Sequence, residues 1–138
     1  MRLVFNVPGP PQGKARARTV SQGGKVHSYT PAKTASYERS VAQAYKFSFP
    51  RQEVLTGPIQ LVLRAYYPIP TSWPQSQKAK ALCDMLMPVV KPDIDNVIKC
   101  IADGLNGVAW EDDKQIVSIR AEKHYSPIPR VEVEIWQE

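Results

Sequence analysis

The sequence is poor in most of the groups on which enzymes build a site. It has two cysteines, Cys83 and Cys100, far apart and with no second cysteine or histidine beside either. That excludes a zinc site of the usual ligand spacing, and the pair reads as two reduced, partly buried thiols. His27 and His124, the two histidines, have no nucleophile or metal partner nearby in sequence. No Gly-x-Ser-x-Gly elbow and no Gly-rich loop ending in Gly-Lys-Ser/Thr occurs, so neither a serine hydrolase nor a P-loop nucleotide site is supported. Long apolar runs are also missing, so no membrane span is expected. Met1–Val7 is too short, and too soon broken by Pro8, to be a secretory leader. A soluble, cytoplasmic protein follows as the expectation.

Acid is scarce in one half of the chain. Residues 1–50 carry eight Lys/Arg and a single acid, Glu38, a net of +7. Residues 51–138 carry ten Lys/Arg and twelve acids, a net of −2. This asymmetry points to a polyanionic partner and a separate place for cations. A solvated basic surface without a partner accounts for the charge equally well.

What is present is ordered secondary structure. The 138 residues suffice for one domain with a real core. Leu3, Phe5 and Val7 alternate with smaller or polar residues, which predicts a strand over Arg2–Val7. Pro8–Gly13, with three prolines and two glycines, is a loop. Lys14, Arg16 and Arg18 follow at alternate positions; in extended chain they share one cationic edge, suited to phosphate. An exposed basic edge that blocks aggregation has the same pattern. Arg18–Tyr29, around Gly23-Gly24, reads as a loose hairpin. Thr30-Pro31 opens a helix with Thr30 as cap, and Tyr37, Val41, Ala44 and Tyr45 keep helical spacing. Ile59, Leu61, Leu63 and Ala65 alternate as a strand that the prolines from Pro68 onward end. Gln75–Met87 reads as a short helix. Val117, Ile119 and Ala121 alternate within a strand over Gln115–Tyr125, and Val131, Val133 and Ile135 within a last one. One mixed α/β (α+β) domain over 1–138 is expected: a small mixed sheet packed with about three helices. Strand order is not readable from this pattern.

The third helix and the turn after it form the stretch with most chemistry. Ile94, Val97, Ile98, Ile101, Ala102 and Leu105 recur at spacings of three and four, one buried helix face. Asp93 and Asp95 stand at the start of that helix, Lys99 one turn on, Asp103 another turn on. The positive end of the helix favours carboxylates there, so Asp93 also reads as a plain cap and Lys99 as an i,i+4 surface partner. Gly104 or Gly107 ends the helix. Glu111-Asp112-Asp113 then forms an acidic turn before a strand. If that turn comes back to the helix start, Asp93, Asp95 and one of Asp112 and Asp113 converge. An all-carboxylate set without histidine suits Mg²⁺ or Mn²⁺.

Three segments together resemble one family. They are Lys91-Pro92-Asp93-Ile94-Asp95-Asn96-Val97-Ile98-Lys99, Asp103-Gly104-Leu105-Asn106-Gly107, and Glu111-Asp112-Asp113-Lys114-Gln115-Ile116-Val117. With Gly13–Arg18 and Tyr29–Glu38 they resemble the RusA-type Holliday junction resolvases over nearly the whole chain. The Gly23-Gly24 region and Gln75–Val90 match weakly. The resemblance implies a small, homodimeric, Mg²⁺-dependent endodeoxyribonuclease of four-way DNA junctions, acting in recombination and repair and often phage- or prophage-encoded. It places the essential carboxylates, as metal ligands, on Asp93, Asp95 and Asp113 and the catalytic lysine on Lys99. Lys14, Arg16, Arg18, Lys33 and Lys91 are the expected DNA contacts. No organic cofactor is expected. A metal nuclease of flaps or forks and a non-catalytic junction-binding protein are the alternatives.

Overall fold

The computed structural model describes residues 1–15 and 18–138, with only the backbone of Arg18. Four strands form a mixed sheet: β1 (Arg2–Pro8), β4 (Ile59–Pro68), β5 (Ile116–Ser126) and β6 (Arg130–Trp136). Their order is β1-β6-β4-β5. β6 runs antiparallel to both β1 and β4, whereas β4 and β5 are parallel. The parallel pair demands a long crossover, and α2 (Gln75–Leu82) and α3 (Ile94–Leu105) lie within it. A separate two-stranded ribbon, β2 (Arg18–Gln22) and β3 (Lys25–Tyr29), precedes α1 (Ala32–Ser48). The predicted order of elements and the single mixed α/β domain are the ones observed.

Period-two alternation explains the sheet. Leu3, Phe5 and Val7, then Ile59, Leu61, Leu63, Ala65 and Tyr67, then Val131, Val133 and Ile135 are all buried on one face. Helix α1 covers that face with Thr34, Tyr37, Val41 and Tyr45, and α3 with Val97, Cys100, Ile101 and Leu105. Phe5 meets Tyr45 edge-on at 5.5 Å between ring centroids. No described helix is long and apolar enough to cross a membrane.

Four details differ from the sequence reading. Gly104 does not end α3 but lies inside it, where a Cβ would sit 3.0 Å from both the Glu38 carbonyl oxygen and Val41 Cβ. Its missing side chain lets α1 and α3 touch. The turn glycine is Gly107, at φ +75°, after the cap Asn106. Pro31, not Thr30, occupies the N-cap of α1, without a side-chain cap. Helix α2 stops at Leu82, because Asp84 adopts a left-handed φ of 59°, and Cys83 is exposed just beyond it. Finally, Val117 and Ile119 alternate as foreseen yet are 66% and 45% exposed, so the start of β5 is left uncovered although the other edge strand, β1, is buried on its apolar face.

Candidate active site

The site is built where α3 begins. Two side chains from the sheet fix the backbone just before it. The Tyr67 hydroxyl donates to the Pro92 carbonyl at 2.5 Å, and Lys123 Nζ donates to the Val90 carbonyl at 2.7 Å. Burial and the nearby Asp93 carboxylate push the Tyr67 hydroxyl up to about 12, so it stays a donor. The Lys91-Pro92 peptide is cis. Asp93 follows as the N-cap of α3, its carbonyl accepting from Val97 N at 3.1 Å. Its carboxylate makes no capping bond, so the plain-cap reading of Asp93 does not hold. Asp93 and Asp95 are both exposed, and neither enters an ion pair among the described residues.

Lys99, one turn on, is caught between two carboxylates. Its Nζ lies 3.0 Å from Asp103 Oδ1 and 3.2 Å from Asp113 Oδ2. Hydrogen bonds to Asp103 and then Asp113 hold it above the ordinary lysine range, so it is an ammonium. The acidic turn therefore does return to α3, and Asp113 is the residue that arrives.

Three anchors bring it there. Trp110, fully buried, donates through Nε1 to Asn106 Oδ1 at 2.8 Å, and Leu55 N donates to the Ala109 carbonyl at 2.8 Å. Gln115 holds the turn itself. Its Oε1 accepts from Glu111 N and Asp112 N at 3.0 and 3.2 Å, while its Nε2 donates to the carbonyls of Leu55 and Gly57 at 3.0 and 3.1 Å. Asp112 caps the 3-10 turn Asp113–Gln115 by accepting from Lys114 N at 3.1 Å. That backbone bond lowers the Asp112 carboxyl below its usual range. The neighbouring aspartates thus have different jobs: Asp112 shapes the turn and Asp113 faces Lys99.

Lys14 is placed differently from the expected DNA contact. The strap Gln12–Ala15 crosses the start of α3, with Lys14 N donating to the Asn96 carbonyl at 2.9 Å. Gly13 permits this, since a Cβ there would stand 2.9 Å from Pro92 Cβ. Lys14 Nζ then turns inward, 2.5 Å from Glu38 Oε1 and 3.1 Å from Asp103 Oδ2. Burial opposes its charge, but Glu38 and Asp103 outweigh burial and raise its pKa. Charges alternate in one chain across three elements: Glu38, Lys14, Asp103, Lys99, Asp113. Sequence reading missed Glu38, Gln115, Tyr67 and Lys123 as members of this assembly. Of these, Gln115 alone left a signal, the Asp-x-x-Gln spacing of a capping box.

Among the described residues, no group of three or more His, Cys, Asp or Glu side chains is gathered tightly enough to enclose a metal ion. Asp95, Lys99 and Asp103 share a face of α3 and Asp113 meets it, while Asp93 stands at its start. Lys33 and Lys91 are exposed nearby in the chain, outside any ion pair of the described residues. Arg16 and the side chain of Arg18 lie outside the described residues. A cleft of about 660 Å³ opens between the strap and Lys91, Asp93 and Asn96. A larger hollow, about 760 Å³, lies between Met1, Gln60, Val117 and Trp136 and holds none of the candidate residues.

The site is thus a set of carboxylates around one ammonium on α3, in a small mixed α/β fold. Residues 8–136 match the family model of Endodeoxyribonuclease RusA, and the chain belongs to that family. It is also similar to "Uncharacterized protein YqaN" of Bacillus subtilis (strain 168), 38% identical over 135 residues, covering 96% of this chain and 94% of that protein.

Proposed function

We propose that the protein resolves four-way (Holliday) DNA junctions by divalent-cation-dependent phosphodiester hydrolysis, in DNA recombination and repair. The observation that carries this is the return of Asp113 to the α3 face bearing Asp95 and Lys99, with the Asp93 carboxylate free of its capping role. The donor set fits Mg²⁺, with Mn²⁺ as a substitute: carboxylate oxygens from two elements, without nitrogen or sulfur. Asp93, Asp95 and Asp113 would hold the cation. Bound there, it would supply a water of lowered pKa and polarise the phosphoryl oxygens.

The chain's own residues do the rest. Lys99, oriented by Asp103, presents an ammonium to the charge that develops on the phosphate. Asp113 is both a candidate ligand and the present partner of Lys99, so the cation and the lysine compete for it. Lys91 and Lys33, together with Arg16 and Arg18, supply phosphate contacts, and Lys14 supports the site from within. Two symmetric cuts in strands of like polarity require two sites related by a two-fold axis, which a homodimer provides.

The test uses Asp93→Asn and Asp95→Asn with a labelled four-way junction. Binding is retained, and Mg²⁺-dependent nicking falls by roughly 10²–10³-fold, the scale of losing a transition-state charge partner. Full cleavage by either variant would sink the assignment. Rates on flaps, forks and duplex measured alongside decide the substrate, and sedimentation decides the dimer.

A further inference from the structure

The β2–β3 ribbon is folded in a way that the body of the protein does not explain. Gly23 and Gly24 have φ of +59° and +76°, the left-handed pair of a tight two-residue hairpin turn. Yet every described side chain of both strands is exposed. Val20, Val26 and Tyr29 are 42%, 69% and 47% exposed. A two-stranded sheet alone in water is marginal at best. The ribbon therefore has a surface for something else to cover.

Its two faces are chemically sorted. The register pairs Gln22 with Lys25 and Val20 with His27, and Tyr29 follows two residues on. Lys25, His27 and Tyr29 thus share one face with Val20 and Gln22. The opposite face carries Thr19, Ser21 and Ser28 around Val26. No acidic residue precedes Glu38 in the chain, so the ribbon and both its stems are free of negative charge. A second copy of such a ribbon would be repelled. A polyanion would be attracted, and a two-stranded ribbon fits the major groove of a duplex.

The base of the ribbon is fastened at the candidate site. Ala15 N donates to Thr34 Oγ1 at 3.4 Å, linking the stem to α1, and Lys14 N is bonded to the Asn96 carbonyl of α3. We propose that the β2–β3 ribbon is an arm that grips a duplex arm of the branched DNA, with Lys25 and His27 on phosphates and Tyr29 against sugar and base. This rests on the junction-nuclease reading above and adds the element that guides DNA to the site.

The test is binding of a fluorescent four-way junction by anisotropy, without divalent cation, across a salt series. The proteins are wild type, the double variant Lys25→Ala/Tyr29→Ala, and Lys46→Ala on the last turn of α1 as control. The double variant binds about tenfold or more weakly, through loss of one stacking ring and one phosphate contact. The slope of log K against log salt falls by about one for the lysine removed. Its melting temperature and sedimentation match wild type, and Lys46→Ala binds as wild type. Wild-type affinity and slope in the double variant overturn the arm alone. An equal loss in Lys46→Ala, or a changed oligomeric state in the double variant, overturns it too, the latter making a second copy the occupant. Failure of wild type to bind the junction overturns both the arm and the proposed function.

Discussion

Two regions of this molecule carry charge in opposite ways. Around α3, every ammonium described in contact with acid is held by two carboxylates, and buried Trp110 and Tyr67 with half-buried Gln115 fix the backbone beneath them. In the β2–β3 ribbon Lys25 stands on a strand whose side chains are all exposed. The first region is built before substrate arrives, which is what a site that stabilises developing charge requires. The second is a paired ribbon whose exposed faces, on the arm proposal, are covered by a duplex.

The comparison is broken most severely at Asp113. Asp113→Asn frees Lys99 from one partner and removes a candidate ligand. Junction cleavage falls by roughly 10²–10³-fold, while Asp112→Asn, still able to cap, stays close to wild type. Single-turnover cleavage of both variants checks this; equal losses would mean the two aspartates act as one charge patch. Next in size is Gly104→Ala, which forces α1 off α3 and destabilises by about 1–3 kcal/mol, read from urea melts. A neutral result would show that the helices yield freely at that contact.

Lys14→Met separates the two regions directly. An inward ion pair, lying between the exposed and buried limits, is worth about 1 kcal/mol, so thermal melting drops by a few degrees at most. The salt slope of DNA binding stays in place; a slope reduced by about one would return Lys14 to the DNA surface. The smallest effect is at His124, which belongs to neither charge group. Its Nδ1 lies 3.1 Å from Asp84 and its Nε2 3.0 Å from Glu122, and it stacks on Tyr66. Burial works against its charge, but Glu122 and Asp84 outweigh it and raise its pKa. A raised folded pKa gives stability that is whole below the unfolded value, about 6.5, and is lost as pH rises through the folded value. Melting temperature therefore declines over that range in wild type, and the decline flattens in His124→Gln.

Much of this was legible in the sequence. Alternation located β1, β4 and β6, whose apolar faces are buried throughout. The three-four spacing located α3, because its stripe is the most regular in the chain. The same alternation misled at β5, since whether a strand's apolar face is covered depends on where the helices pack, and that is not written locally. Of the shared edge of Lys14, Arg16 and Arg18, only the Lys14 side chain is described, and it turns inward to Glu38 and Asp103. The chain crosses α3 as a strap at Lys14, and β2 begins at Arg18. Asp93, Asp95 and Lys99 were legible because one helix carries them. Glu38, Tyr67 and Gln115 were not, because each acquires its role from a partner brought near only by the fold.

The position of β6 has a consequence for how the protein comes into being. It lies between β1 and β4 in the sheet, and its register joins Arg2 to Trp136 and Gln60 to Trp136. As the ribosome extends the chain from its N-terminus, β1 and β4 are made early and their common neighbour last. Until Arg130–Trp136 is available, neither has its antiparallel mate, and β4 holds only the parallel β5. Pairings so distant along the chain form slowly, because loop closure must come first. Synthesis order therefore sets a natural timer: the acidic site cannot settle on a finished sheet until Arg130–Trp136 has been made.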